Sequence, residues 1–244
     1  MSVLDLASSL AVTLLRGGAG MSIGSLGKRP AQRLQLYEFE ACPFCRKARE
    51  ALSILDLEAE IRPCPKGGRR YRPEVRARGG KEQYPWLVDP NTGVELYESD
   101  DIVRYLFETY GDGSVHWTLA VPPLATFSAM LSSLPRPGVG GFVREARAPA
   151  RQLELWSFEA SPFCRIVRET LCSLEIPYVL HNVAKGSPSR EAFVARSGKM
   201  QVPYLFDPNT GVEMFESADI VSYLEETYAT REPATAAAGA GASA

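Results

Sequence analysis

Leu34, Leu36 and Phe39 make Leu34-Gln35-Leu36-Tyr37-Glu38-Phe39 a short apolar-rich run, which predicts a strand. The spacing then changes. Phe44, Ala48, Leu52 and Leu55 recur at helical intervals, and Pro43 suits the first turn of such a helix. A second strand is predicted near Ala59 to Arg62, then a polar crossover with helical character, then two apolar runs joined by the turn Asp89-Pro90-Asn91-Thr92-Gly93. Ser99 is a natural N-cap for a closing helix that carries Ile102, Val103 and Leu106. The order is strand, helix, strand, crossover, hairpin, helix.

The same order is read a second time from Leu153, Leu155 and Phe158 through the helical Phe163, Val167, Leu171 and Leu174. It continues through Tyr178 to His181, the turn Asp207 to Gly211, and Ser217 before Ile220, Val221 and Leu224. The agreement extends to residue identity. Leu36-Tyr37-Glu38-Phe39-Glu40-Ala41-Cys42-Pro43-Phe44-Cys45-Arg46 returns, 119 positions later, as Leu155-Trp156-Ser157-Phe158-Glu159-Ala160-Ser161-Pro162-Phe163-Cys164-Arg165. Pro85 to Glu95 returns as Pro203 to Glu213 at a shift of 118, so one residue was lost between. Units of about 80 residues are therefore duplicated.

The duplication has a candidate extension. Val3 to Leu15 predicts a docked amphipathic helix, with an uncleaved targeting remnant as the alternative, before the Gly-rich Arg16 to Gly20, and the apolar Leu124 to Leu134 precedes Arg136-Pro137-Gly138-Val139-Gly140 in the same way. Each half would then be a helix, a Gly-rich turn and a domain. The divisions expected are an N-terminal helix and turn over 1–32, a domain over 33–111, a connecting helix and linker over 112–150, a second domain over 151–229, and a tail over 230–244. That Ala- and Gly-rich tail is expected to be disordered.

Composition narrows the function classes. The 244 residues, 45% hydrophobic and 23% charged, are an ordinary globular balance for two small domains. A formal net charge of -2 supplies no positive field for a nucleic acid or an anionic membrane, so neither is an expected partner. No apolar run approaches the roughly 18 to 20 residues that span a bilayer. Five cysteines, Cys42, Cys45, Cys64, Cys164 and Cys172, are an odd number with no cleavable signal peptide in front, which favours a reducing compartment. The expected location is the cytoplasm, with the plastid stroma as the alternative.

Cys-Pro-Phe-Cys or Ser-Pro-Phe-Cys follows the first strand of each unit, Gln83-Tyr84-Pro85 or Gln201-Val202-Pro203 precedes the hairpin, and Glu98-Ser99 or Glu216-Ser217 opens the last helix. Together these motifs resemble the thioredoxin fold of glutaredoxins and of the N-terminal domain of glutathione S-transferases. The resemblance implies an α/β fold of two tandem thioredoxin-like domains, βαβ-α-ββα, each a mixed four-stranded sheet with flanking helices. One departure stands out: a second such unit begins where a transferase would carry its all-helical C-terminal domain, which puts the usual electrophile pocket in doubt.

Cys42 would precede the first helix, where unpaired backbone N–H groups and the positive dipole end favour thiolate over thiol. It is the candidate nucleophile, Arg46 and Lys47 are candidate contributors to the positive field, and Cys45, on the same helical face, is the candidate resolving thiol. A closed zinc site needs four ligands, and no second Cys-x-x-Cys or His pair is present, so no metal is expected. An iron-sulfur cluster bridging two chains, as in some glutaredoxins, is a further reading. Cys64 reads as an incidental loop thiol and Cys172 as core packing; His116 and His181 receive no role.

In the second unit Ser161 takes the place of the nucleophile. Ser-Pro-Phe resembles the tau-class transferase motif, whose serine donates a hydrogen bond to the thiolate of bound glutathione, whereas Cys-Pro-Phe looks more like the omega class. A degenerate structural copy is the competing reading of this unit. For glutathione itself, the resemblance implies cis prolines at Pro85 and Pro203, with the backbones of Tyr84 and Val202 pairing with the cysteinyl part. It implies γ-glutamyl sites at Glu98 and Ser99 and at Glu216 and Ser217, and Gln83 and Gln201 along the tripeptide. Lys81 and Lys199 are candidate partners of the glycyl carboxylate.

The leading expectation is a glutathione-dependent thiol-disulfide oxidoreductase acting on disulfide or glutathionylated protein substrates through Cys42. The alternatives are a glutathione transferase using Ser161 or Cys42, and a non-catalytic module that binds glutathione or protein. Oligomeric state is left open.

Overall fold

The computed structural model describes residues 3–230, and the tail expected to be disordered lies, from Arg231 onward, outside the described residues. Helix α1 spans Val3–Leu15. The first unit runs β1 (Leu34–Glu38), α2 (Pro43–Ile54), β2 (Ala59–Pro63), α3 (Arg72–Gly79), β3 (Trp86–Asp89), β4 (Val94–Leu96) and α4 (Ser99–Tyr110). After α5 (Pro122–Leu131) come β5 (Leu153–Ser157), α6 (Pro162–Ser173), β6 (Tyr178–Asn182), α7 (Ser189–Ser197), β7 (Tyr204–Asp207), β8 (Val212–Phe215) and α8 (Ser217–Tyr228). Both units thus have the thioredoxin-like order, and among the described residues no helix is long and apolar enough to cross a membrane.

Within each unit the first strand is central, parallel to the second and antiparallel to the third. The two sheets do not stay separate. β2 pairs antiparallel with β6, giving one eight-stranded sheet in the order β4-β3-β1-β2-β6-β5-β7-β8. The register is Ala59 with Leu180, Glu60 with Val179 and Ile61 with Tyr178. Glu60 therefore faces its own duplicate, 119 residues on, and an approximate twofold passes through that pair. The junction consumes the two strand edges that would otherwise present unpaired N–H and C=O groups.

Strand alternation sorts side chains onto two unlike faces. Leu34 and Leu36 with Leu153 and Leu155 enter one continuous core shared by α2, α4, α6 and α8. Tyr37 and Trp156 point the other way, into two separate clusters, one with Val75 and Trp86 and one with Phe193 and Tyr204. A shared core on one face makes the units a single packed body rather than beads on a linker.

The two extra helices are exchanged. α1, which leads into the first unit, packs on α6 of the second, while α5, which leads into the second, packs on α2 of the first. The Gly-rich turns after them cross in the same reciprocal way: Ser22 bridges to Lys185 and Phe142 to Lys66. Arg16 pairs with Glu50 and reaches the Ala125 carbonyl at 3.0 Å; Arg136 pairs with Glu169 at 2.6 Å and reaches the Asp5 carbonyl at 2.8 Å. These matched contacts lie 119 or 120 residues apart, so the segment between the units repeats the packing of the N-terminal arm.

Candidate functional site

Cys42 is the N-cap of α2, and its Sγ accepts the backbone N–H of Cys45 at 3.2 Å. Pro43 at the first helical position has no N–H to leave unpaired. A hydrogen bond from the Cys45 thiol lowers the Cys42 pKa most; burial opposes it, and the backbone N–H groups of Cys45 and Phe44 and the Arg49 charge add to the lowering. Cys45 goes the other way: burial, then its bond to Cys42, pushes its thiol well up. The pair is thereby polarised into one thiolate-prone and one thiol-prone sulfur, with Cys42 4% and Cys45 0% exposed. Arg49 is the cation that lowers Cys42, while Arg46 donates to Ser132 and Lys47 to Asp100 and Thr126.

In the second unit Ser161 caps α6, its Oγ accepting the Cys164 N–H at 3.3 Å. Its neighbours are held by the exchanged arm. Thr13 donates to the Ala160 carbonyl at 2.7 Å and Ser9 to the Pro162 carbonyl at 2.8 Å, so α1 covers the turn in which Ser161, 4% exposed, is presented.

The residues carried over for glutathione come together in both units. The peptide bonds Tyr84-Pro85 and Val202-Pro203 are cis. Gln83 donates to Glu98, and Gln201 to Glu216. Ser99 and Ser217 are not N-caps; that position belongs to Glu98 and Glu216, whose φ values of 62° and 66° turn the chain so that each serine is already the first helical residue. A non-glycine residue in that region carries about 1–3 kcal/mol of strain and is concentrated at ligand clamps. Lys81 and Lys199 lie over the Tyr97 and Phe215 rings at 4.5 and 4.4 Å. Beside the start of α4, a cleft of about 360 Å³ is lined by Asp100 and by Pro122, Pro123, Thr126, Phe127 and Met130, mostly from α5.

Beneath both helix N-termini lies a buried charge cluster that sequence reading missed. Arg49 pairs with Glu38, with Glu40 at 3.3 Å and with Glu159 at 3.1 Å; Arg168 pairs with Glu40 at 3.1 Å and Glu159 at 2.8 Å. Burial alone would raise the Glu159 carboxyl, but Arg168, Arg49, Arg165 and Arg46 together hold it down at about 2. Glu38 has no such surplus of cations; burial outweighs Arg49 and raises it to about 7. Its counterpart 119 residues on is Ser157.

The remaining thiols and histidines find structural places. Cys64 is fully buried against Tyr37, Val75 and Trp86, and burial pushes its thiol up strongly. Cys172 is buried too, but its Sγ also accepts the Glu40 N–H at 3.4 Å. His181 stacks on Trp156 at 4.4 Å and bonds Glu58 at 2.6 Å and Glu154 at 3.1 Å, across the junction of the units. His116 bonds Thr118 at 2.9 Å.

The class defined by this fold is a paired thioredoxin-like protein with a cysteine-capped helix in one half and a serine-capped helix in the other. The family model for the glutathione S-transferase N-terminal domain matches residues 36–114 and 155–232, more than half of the chain, and the chain belongs to that family. No curated protein matches it. Among solved structures it is similar to a Leishmania protein described as a unique trimeric glutathione transferase, TDR1, at 14% identity over 82% of this chain and 68% of that one, with a TM-score of 0.29.

Proposed function

We propose that the protein is a glutathione-dependent thiol-disulfide oxidoreductase whose redox site is Cys42-Pro43-Phe44-Cys45. The observation that carries this reading is the opposite pull on the two thiols: Cys42 lowered at the helix N-terminus, Cys45 raised beside it. An attacking thiolate needs the first condition, and a resolving thiol held in reserve fits the second. The Cys42 thiolate attacks the sulfur of a glutathionylated or disulfide substrate; a Cys42–substrate disulfide forms as the old S–S bond breaks and its other sulfur leaves as a thiolate. Cys45 then loses its proton and displaces the substrate sulfur, leaving a Cys42–Cys45 disulfide for two molecules of glutathione to reduce. Alternatively, one glutathione resolves the mixed disulfide directly.

Glutathione is a fit for the polar groups grouped here. Glu98 and the start of α4 suit an α-amino acid end, since a carboxylate is favoured at a helix N-terminus and an ammonium by a neighbouring carboxylate. The Tyr84 backbone suits the cysteinyl part, as an added extended strand. The reading assigns the second unit, with Ser161 at the cap and Cys164 fully buried, a binding or supporting part.

A second reading, glutathione transfer at the first unit, is favoured by one observation, the mostly apolar cleft beside α4 that α5 walls. Glutathione:disulfide exchange separates the two. Cys42→Ser should lower exchange roughly a thousandfold or more, on the scale of losing a covalent nucleophile, while Ser161→Ala leaves it near the wild-type rate. Full exchange in Cys42→Ser would end the assignment; conjugation of an apolar electrophile without any exchange would favour the second reading.

A further inference from the structure

The turn that presents Cys42, between β1 and α2, is held by the unit that has no nucleophile. Glu40, two residues before Cys42, is 1% exposed, and its carboxylate takes both prongs of Arg168: Nε at 3.2 Å on Oε2 and Nη2 at 3.1 Å on Oε1. Its backbone N–H goes to Cys172 Sγ at 3.4 Å, also on α6. The first unit adds Arg49, which donates to the Glu40 carbonyl at 3.2 Å. The matching turn of the second unit is tied in the reciprocal way, with Glu159 bonded by Arg49 at 3.1 Å and its N–H given to Ser53 Oγ at 3.3 Å. Cys172 and Ser53 are the same position in the two copies, 119 residues apart.

We infer that Arg168 is a positioning residue for Cys42, acting through Glu40, and that the second unit is retained to hold the first unit's thiol in place. The inference rests on Cys42 being the reactive thiol. A two-pronged guanidinium–carboxylate pair fixes direction as well as distance, which a single ammonium does not, so Arg168→Lys keeps the charge and loses the clamp. Cys172 contributes the second tether, and because serine does the same task at position 53, Cys172→Ser preserves the clamp where Cys172→Ala removes it.

The test uses the full chain and two readouts: the rate of Cys42 alkylation by iodoacetamide against pH, and amide hydrogen exchange across residues 39–45. In Arg168→Lys, alkylation at neutral pH should slow about tenfold and exchange over 39–45 should quicken about tenfold, the size of one charged hydrogen bond, while β3 and β7 stay protected. Cys172→Ala should show a smaller change in the same direction, reversed in Cys172→Ser, and it replaces Arg168→Lys if that variant does not fold. Wild-type behaviour in both readouts overturns the inference, and so does exchange that quickens equally in β3 and β7, which would mark general loosening. If the wild-type protein alkylates at Cys42 but exchanges no disulfide with glutathione, the proposed function fails while the positioning role stands on these readouts.

Discussion

The two units repeat one backbone plan, yet at matched positions around their first helices they carry different chemistry. Cys42 faces Ser161 across the duplication, Glu38 faces Ser157, Cys172 faces Ser53, and Lys47, paired with Asp100, faces the apolar Ile166. The positions that stay alike are of another kind: the cis prolines, the Gln–Glu pairs, the serines that open the closing helices, and the arginine–glutamate quartet at the twofold. The common positions pair side chains or turn the backbone in both units, whereas Cys42 and Glu38 put a thiol and an ionisable carboxyl where the second unit has Ser161 and Ser157. The first unit's α2 is capped by a cysteine hydrogen-bonded to a second cysteine, and the second unit's α6 by a serine.

The comparison can be broken most severely at the quartet, which belongs to both units at once. Arg49→Met strands Glu38 in its own unit and weakens the hold on Glu159 in the other, and removing one partner of a buried pair costs about 3–5 kcal/mol. Urea denaturation should show that loss as one cooperative transition, because both units share a core; two separate transitions would contradict the single body.

A smaller effect sharpens the difference between Glu38 and Ser157. Burial raises the folded Glu38 carboxyl to about 7 against an ordinary 4.5, so the folded state holds an extra proton between those values. The stability contributed by protonated Glu38 is complete below about pH 4.5 and is lost as pH rises through about 7. Glu38→Gln never acquires the charge. Thermal melts of that variant should therefore gain on the wild type as pH climbs from 5 towards 8, and parallel melting curves across that window would show that Glu38 is not held protonated.

Much of the fold was legible because it is local or repeated. Short apolar-rich runs, the helical spacing after Pro43 and the Asp-Pro-Asn-Thr-Gly turns located the elements, and the Cys42 cap followed from the helix start. The merger of the sheets was not legible. Ala59 to Pro63 reads as a strand whatever lies beside it, and pairing with β6 leaves no mark in either segment. The charge cluster hid for a similar reason: Arg46, Lys47, Arg49 and Glu50 look like the solvated face of a helix, but partners 34 to 110 residues away in the chain bury that face. One signal was present. Arg49 and Arg168, Glu40 and Glu159, Arg16 and Arg136, and Glu50 and Glu169 all recur at the repeat shift, and charged residues kept in both copies of a duplicated core are candidates for burial together.

The central claim, that one unit carries the redox thiol and the other does not, meets its most direct test in a titration with oxidised glutathione followed by peptide mass spectrometry. The expected result is a glutathione adduct on Cys42, the thiol held low, that gives way to a Cys42–Cys45 disulfide, with Cys64 and Cys172, whose thiols burial pushes up, and the fully buried Cys164 unmodified while the protein is folded. An adduct on Cys164 or Cys172 with Cys42 untouched, or no adduct at all, would contradict the account.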